Sequence, residues 1–454
     1  LNKFADRGEN VTTFSFDDTQ LHKLAAQALA EAETAGASSA AVNISESMGQ
    51  TVTVRLNEVE TIAYNRDHGL SITAYIGQKK GSASTSDMSK TGIQDTAAAA
   101  VAIAKYTASD PYAGLADPAL FARQFLDLDL YHPADMPVEQ AIDMAKAMEY
   151  SGMAIDKRIN NSGGASVTSQ QGQEIYANSL GFAGIERESY YSASVALIAK
   201  EKDALQQDYW VDATRVLANL FSMESIGQKA GERALRRLNA RRLKTRRAPV
   251  LFEAPVAGSL INHWIAAVSG TPLYRGASFL VDSLETPVFS SLLHIQELPH
   301  VPQGFASRVF DAEGVATHAR DIVTEGILHG YFLSTYSARK LAMQTTGNAG
   351  GPHNLYVKAT HPDLTALVKD MQTGLLVTEL MGQGINMVTG DYSRGASGFW
   401  VENGEIQYPV EEITIAGNLK EMFRAIVGVG ADSLRYASKQ CGSILIDNMM
   451  IAGA

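Results

Sequence analysis

The sequence predicts an α+β fold in two parts: an N-terminal α/β module, an antiparallel sheet with flanking helices, and a C-terminal β-rich domain with a few helices. Three observations predict it. Isolated stretches place apolar residues at helical spacing. Between them apolar residues alternate with period two, as half-buried strands require. From Pro249 onward glycine becomes frequent, and short strand patterns alternate with long loops.

Residues 1–20 carry no apolar run and are expected to form a mobile tail, followed by domains at 21–245 and 246–454. Leu21 to Ala35 predicts an amphipathic helix, with Leu21, Leu24, Ala25, Ala28 and Leu29 on one face. Val42 and Ile44, then Val52 and Val54, predict two strands with a turn at Met48-Gly49-Gln50. A further strand follows from Gly69, then a turn in "GQKKG" and a small-residue strand. Ile93 to Tyr106 predicts an alanine-rich helix, and Val138 to Asp156 another behind two prolines. The run from Gly163 to Lys200 is strand-like with turns at glycines, and Ser225 to Leu238 is helical. In "FWVENGEIQYPV", Asn403-Gly404 is the pair that best accepts the positive φ angles of a type I′ hairpin turn. No tandem repeat is visible.

Composition excludes several classes. The net charge is −11, against the dense basic face that a duplex DNA binder needs. Arg233 to Arg247 holds seven arginines and a lysine, read as a solvated helix end and linker rather than a nucleic-acid patch. No apolar stretch is long enough to span a membrane. The single cysteine, Cys441, cannot form an internal disulfide and fits a reducing compartment. The N-terminal residues contain no apolar signal core, so a cytoplasmic location is expected.

Candidate chemistry is sparse. His263 lies in the apolar run "SLINHWIAAVSG", but Trp264 follows it and no second histidine stands one turn on. Zinc needs three or four protein ligands. On local sequence alone, His263 reads as a histidine packed at a helix surface. His294 and His300 flank Glu297 in a proline-rich loop without diagnostic spacing. Cys441 is a potential thiolate ligand, though a lone cysteine more often serves as a small buried hydrophobe. The glycine-rich stretches at 345–354 and 389–398 lack the Gly-Lys-Ser/Thr end of a phosphate loop and fit tight turns.

Several long segments together carry a resemblance. "DAEGVATHARDIV", "GYFLSTYSARKLAMQTTGNAGGPHN", "VTELMGQGINMVTGDYSRGASGFWVENGEIQYPVEEITIAGNL" and "QCGSILIDNMMIAG" resemble the TldD/PmbA family, in its PmbA (TldE) branch. "GSASTSD" and "YTASDPYAGLAD" resemble it too. The resemblance implies a cytoplasmic metalloprotease of two related subunits, acting in proteolysis and maturation of small or unfolded peptides. The TldD-type subunit of that family carries a His-Glu-x-x-x-His helix and a C-terminal cysteine as metal ligands. On this sequence those positions fall at His263, Trp264, Val268 and Cys441, so neither the catalytic nor the metal set is intact.

The resemblance further implies a TldD-like partner that holds the zinc, extended peptide substrates, and a homodimer when the chain is alone. This chain is expected to bind no zinc tightly and to contact neither nucleic acid nor membrane. Asp391, Tyr392 and Arg394, in a loop feeding the Asn403-Gly404 hairpin, are expected to touch substrate or partner. Two other readings stay open: a self-sufficient metallopeptidase with an unrecognised site, and a non-enzymatic regulatory protein, the family having been described as a gyrase modulator.

Overall fold

The computed structural model describes residues 13–453. Residues 1–12 of the expected tail lie outside the described residues. Residues 13–20 are not a tail. The Ser15 N–H donates to both carboxylate oxygens of Glu46, at 2.8 and 3.0 Å. Asp17 and Gln20 then form a capping box that starts helix α1 (Asp18–Thr34).

The chain divides into two compact units. One takes the residues up to Phe121, Asp129–Ile198 and Gln207–Glu232; the other takes Ala122–Leu128, Ala199–Gln206 and everything from Arg233. The division near residue 232 falls within the Arg-rich helix.

After α1, the first unit builds β1 (Ser39–Arg55), β2 (Glu58–Ile76), β3 (Lys79–Thr85) and α2 (Lys90–Tyr106). It then builds α3 (Val138–Met153), β4 (Ile159–Asn178), β5 (Ala183–Glu201), β6 (Ala204–Thr214) and α4 (Met223–Arg236). The six strands form one sheet in the order β3-β2-β1-β4-β5-β6. A helix, three strands and a helix therefore occur twice, and the sheet order mirrors itself about the β1–β4 junction. The turn expected at Met48-Gly49-Gln50 is absent: β1 runs straight through it, paired with β2 on one side and β4 on the other. Gly49 is there for a close approach, since a Cβ would meet the Ser169 carbonyl oxygen of β4 at 2.4 Å. The reversal comes later, at Leu56-Asn57, both with positive φ.

One face of this sheet buries Val42, Ile44, Leu70 and Ile72 against Leu21, Ala25 and Ala28 of α1 and Ile93, Ala97 and Val101 of α2. Alanine dominates the helices because it lets them lie close to the sheet. Helices α3 and α4 meet through Gly152 and Gly227: a Cβ on Gly227 would sit 2.0 Å from the Met148 carbonyl oxygen.

The second unit runs β7 (Arg246–Phe252), α5 (Ala254–Ala267), α6 (Gly270–Tyr274), β8 (Ile295–Glu297), β9 (Arg320–Thr324) and β10 (Ile327–Leu328). It continues with α7 (Thr335–Lys340), β11 (Leu355–Val357), α8 (Leu364–Met371), β12 (Gly374–Ile385) and β13 (Asp391–Glu402). It closes with β14 (Glu405–Asn418), α9 (Leu419–Arg424), β15 (Ile426–Val429), β16 (Lys439–Gln440) and β17 (Ile444–Ala452).

A small sheet has the order β10-β9-β8-β11-β16, and a larger one β14-β13-β12-β7-β17-β15. Strand β14 also pairs with β17, so β14, β13, β12, β7 and β17 close on themselves as a ring. Leu251, Leu376, Phe399 and Leu445 form one cluster with Leu367, Val368 and Met371 of α8. Val250, Phe252, Trp400 and Ile446 instead belong to the main core with α5. The Asn403-Gly404 turn has φ of 53° and 73°, as a type I′ hairpin requires.

The arginine run is engaged within this unit. Arg233 and Arg236 both donate to Glu253. Arg237 pairs with Glu379 and Arg242 with Glu412. Arg241 stacks on Tyr408 and Arg246 on Trp400. No helix among the described residues is long and apolar enough to cross a membrane.

Candidate functional site

Helix α5 carries the sequence-predicted site. Pro255 sits in its first turn, where the missing N–H costs nothing. Its start is capped from afar: the Ser443 hydroxyl oxygen accepts the Ala254 N–H at 3.0 Å and donates to Asp432 at 2.6 Å. Ala257, Leu260, Ile261, Trp264 and Ile265 face the core, while Asn262 and Ala266 face out and His263 lies on the border.

Trp264 is 0% exposed. Its indole meets Phe289 and Phe332 edge-on, with ring centroids 5.6 and 5.7 Å away. The aromatic cage favours these tilted contacts and excludes water. Val268, also fully buried, is the residue after the helix, and its carbonyl accepts the Phe332 N–H. Cys441 is 3% exposed, and its thiol donates to the Gly442 carbonyl. Burial, with the nearby Asp432 charge, pushes that thiol up to about 12, so it stays protonated at neutral pH. A metal needs lone pairs and, from cysteine, a thiolate. Trp264 and Val268 supply none, so these residues do not fit a zinc ion. Among the described residues no group of three or more His, Cys, Asp or Glu gathers that could hold a metal.

The segment read as a loop, Gly390 to Gly398, is strand from Asp391 onward. Alternation decides which side each residue takes. Tyr392 and Ala396 are buried and Arg394 is half-buried, while Asp391 and Ser393 are exposed on the opposite face. Tyr392 is a core residue, 2% exposed, not a surface contact. Asp391 is held by the Thr389 hydroxyl at 2.6 Å and the Asn418 amide at 3.2 Å, which lower its pKa. The three predicted contact residues are therefore not one group.

Instead the fold brings Tyr392 and Arg394 to His263. The His263 and Tyr392 rings meet edge-on with centroids 6.1 Å apart. Burial pushes the Tyr392 hydroxyl up to about 12, and the Arg394 charge holds it back only in part. Burial, then the same guanidinium, pushes the His263 imidazole below its ordinary pKa. His263 Nε2, Tyr392 Oη and Arg394 Nε are all buried without a hydrogen-bond partner. Arg394 acts electrostatically on both neighbours and lies close enough to the Tyr392 hydroxyl to lower its pKa through a side-chain hydrogen-bond contact, although that contact falls short of full hydrogen-bond geometry. The signal for this grouping was the period-two spacing of Tyr392, Arg394 and Ala396, which the glycines and serines between them obscure.

The His294–His300 stretch is structural. Glu297 is buried and accepts from Arg320 at 2.6 Å, from the Asn348 amide at 2.7 Å and from the His353 N–H at 2.8 Å. The glycine run from 345 to 354 folds around this carboxylate, with His353 Nε2 2.9 Å from the Gly347 carbonyl. Sequence reading missed this network because its members are far apart along the chain.

Fold and site together define a two-unit α+β protein whose helix α5 carries His263 beside a buried Trp264. Comparison with known proteins gives the family. Residues 40–104 match domain 1 of PmbA/TldA metallopeptidases, residues 131–238 the central domain and residues 245–453 the C-terminal domain. The chain is 45% identical to a metalloprotease PmbA homolog of Haemophilus influenzae, over 98% of this chain and 99% of that one. It is 46% identical to the metalloprotease PmbA of Escherichia coli O157:H7, over 91% of this chain and 92% of that one. A crystal structure from Bacteroides thetaiotaomicron, described as a modulator of DNA gyrase, superposes with a TM-score of 0.91 at 28% identity, covering 96% of this chain and 100% of that one. The chain belongs to the PmbA/TldD metallopeptidase family.

Proposed function

We propose that this chain is the non-catalytic subunit of a two-chain metallopeptidase. Trp264 carries the proposal. It takes the place of the glutamate that a zinc peptidase uses as general base, and it is fully buried against Phe289 and Phe332. An indole accepts no proton from a metal-bound water, and general-base help is worth about 10²–10⁴-fold. Zinc is held by a TldD-like partner, which supplies the Lewis acid and the hydroxide. The substrates are small or unfolded peptides bound as extended strands, where backbone hydrogen bonds carry affinity across varied sequences. Alone, the chain pairs with itself through the surface it gives the partner, because related subunits share that geometry. The complex works in the cytoplasm, in keeping with the single buried cysteine. It acts in peptide maturation without touching nucleic acid.

Reconstitution tests this. The purified, dialysed chain should hold far less than one zinc and leave a panel of unfolded peptides intact. Mixed with a TldD-like chain it should co-elute and yield hydrolysis that a chelator abolishes. Stoichiometric zinc, or chelator-sensitive hydrolysis by this chain alone, overturns the proposal.

A further inference from the structure

The cluster beside α5 is short of an anion. Arg394 is charged at any ordinary pH. Among the described residues no carboxylate lies within ion-pair distance of it, and its Nε–H is buried with no acceptor. A partly desolvated guanidinium without a counter-charge is costly. The Tyr392 hydroxyl beside it is likewise buried with no partner other than Arg394, and His263 Nε2 is buried with none. Groups that might neutralise Arg394 are turned away. Asp391 lies on the other face of β13, tied to Thr389 and Asn418. Across the sheet, β14 presents Ile415 to Arg394, and β12 presents Met381 and Gly384 to its neighbours Gly395 and Ser393. His263 and Arg394 are both half-buried as residues, while the three orphaned polar atoms themselves are buried.

The charge also has the wrong sign for a metal. Arg394 stands within electrostatic reach of the one histidine kept from the zinc motif. A dication there would meet a fixed positive charge. Arg394 gives the cluster one fixed positive charge, with two further polar groups around it. That suits a planar monoanion, because a guanidinium pairs with the oxygens of a carboxylate in its own plane.

We propose that His263, Tyr392 and Arg394 form a carboxylate-binding site that takes the free C-terminal carboxylate of a peptide. This deepens the reading of the chain as a peptide-handling subunit and rests on it. The position that serves the metal in a catalytic subunit serves here to hold and orient a substrate end.

The test needs only the isolated full-length chain, so its failure is separate from failure of the reconstituted activity. Calorimetric titration uses trialanine, trialanine amide, Ala-Glu-Ala amide and sodium acetate. Trialanine should bind, and its amide should bind at least about tenfold more weakly, the loss expected when a charge-assisted hydrogen bond is removed. Arg394→Gln and Tyr392→Phe should each erase the difference between acid and amide. Arg394→Gln should melt no lower than wild type without ligand, since it removes an unpaired cation; a purely structural arginine would lower the melting temperature. Equal binding of acid and amide, no binding of trialanine, or wild-type binding by Arg394→Gln overturns the site. Ala-Glu-Ala amide or acetate binding as tightly as trialanine overturns the assignment to a peptide terminus.

Discussion

Placing a glutamate at Trp264 should damage the fold of this chain. Trp264→Glu empties a fully buried site lined by Phe289 and Phe332. Removing an aromatic ring of this size from a core costs about 3–5 kcal/mol. The new carboxyl then sits among rings with no donor provided, and an uncompensated buried charge costs about 3–5 kcal/mol more, unless it takes a proton. The indole nitrogen has no hydrogen-bond partner in the folded chain, so no bond is lost to offset against these terms. A domain of this size loses roughly 2–4 °C of melting temperature per kcal/mol, so the expected drop is on the order of 12–40 °C. The sign with pH is fixed as well. Burial raises the new carboxyl's folded pKa above its unfolded value. The folded state therefore binds the extra proton, and the deficit is smallest below the unfolded pKa and grows as pH rises through the folded one. Thermal melts by circular dichroism at pH 5 and pH 8, with and without zinc, measure this. Trp264→Phe, which keeps a ring in the cage, should lose far less. A variant within about 2 °C of wild type at both pH values, or one that zinc stabilises, would refute the assignment of Trp264 to a dry core.

Three further outcomes are expected. Glu253→Gln strands the buried Arg233 and the partly buried Arg236 at the start of α5, and breaking such a pair costs about 3–5 kcal/mol in chemical denaturation. Asp311 has its pKa raised to about 6 by burial, so its contribution is fully present below its unfolded value near 3.8 and is lost as pH rises through about 6; Asp311→Asn should flatten the stability profile across that window. The Cys441 thiol, buried and pushed up to about 12, should resist iodoacetamide at pH 8 in the folded chain and react readily in denaturant, as read by mass spectrometry.

Much of the fold was legible because local periodicity carries it. Helices α1, α2 and α3 and the Asn403-Gly404 hairpin are set by residues within a few positions of one another. The pairing of β1 with β4 is set by surfaces more than a hundred residues apart, such as Ala41 with Asn178, and no local pattern specifies it. Met48-Gly49-Gln50 imitates a turn because glycine serves reversals and close approaches alike, and only the neighbouring strand decides which. At the site, His263, Trp264 and Val268 are read together in one line of sequence. The company of His263, Tyr392 and Arg394 is not, because it needs both the alternation along β13 and the placing of α5 beside that strand.

The ring in the second unit has a consequence for how the chain is made. Strand β7 lies between β12 and β17, yet 192 residues separate Phe252 from Ile444. At usual rates of synthesis its outer edge waits roughly 10–40 s for a partner, during which an apolar strand is open to the wrong neighbour. The sequence of β7 guards against that. Arg246 and Arg247 open it with like charges. Pro249 costs the finished ring no ladder bond, because the pairing of β7 with β12 begins one residue later, at Val250 with Leu375. The two arginines thus act twice, first as a shield on the nascent chain and then in the finished strand, where Arg246 stacks on Trp400, so replacing Arg247 with an apolar residue should raise aggregation during synthesis more than it lowers the stability of the folded product.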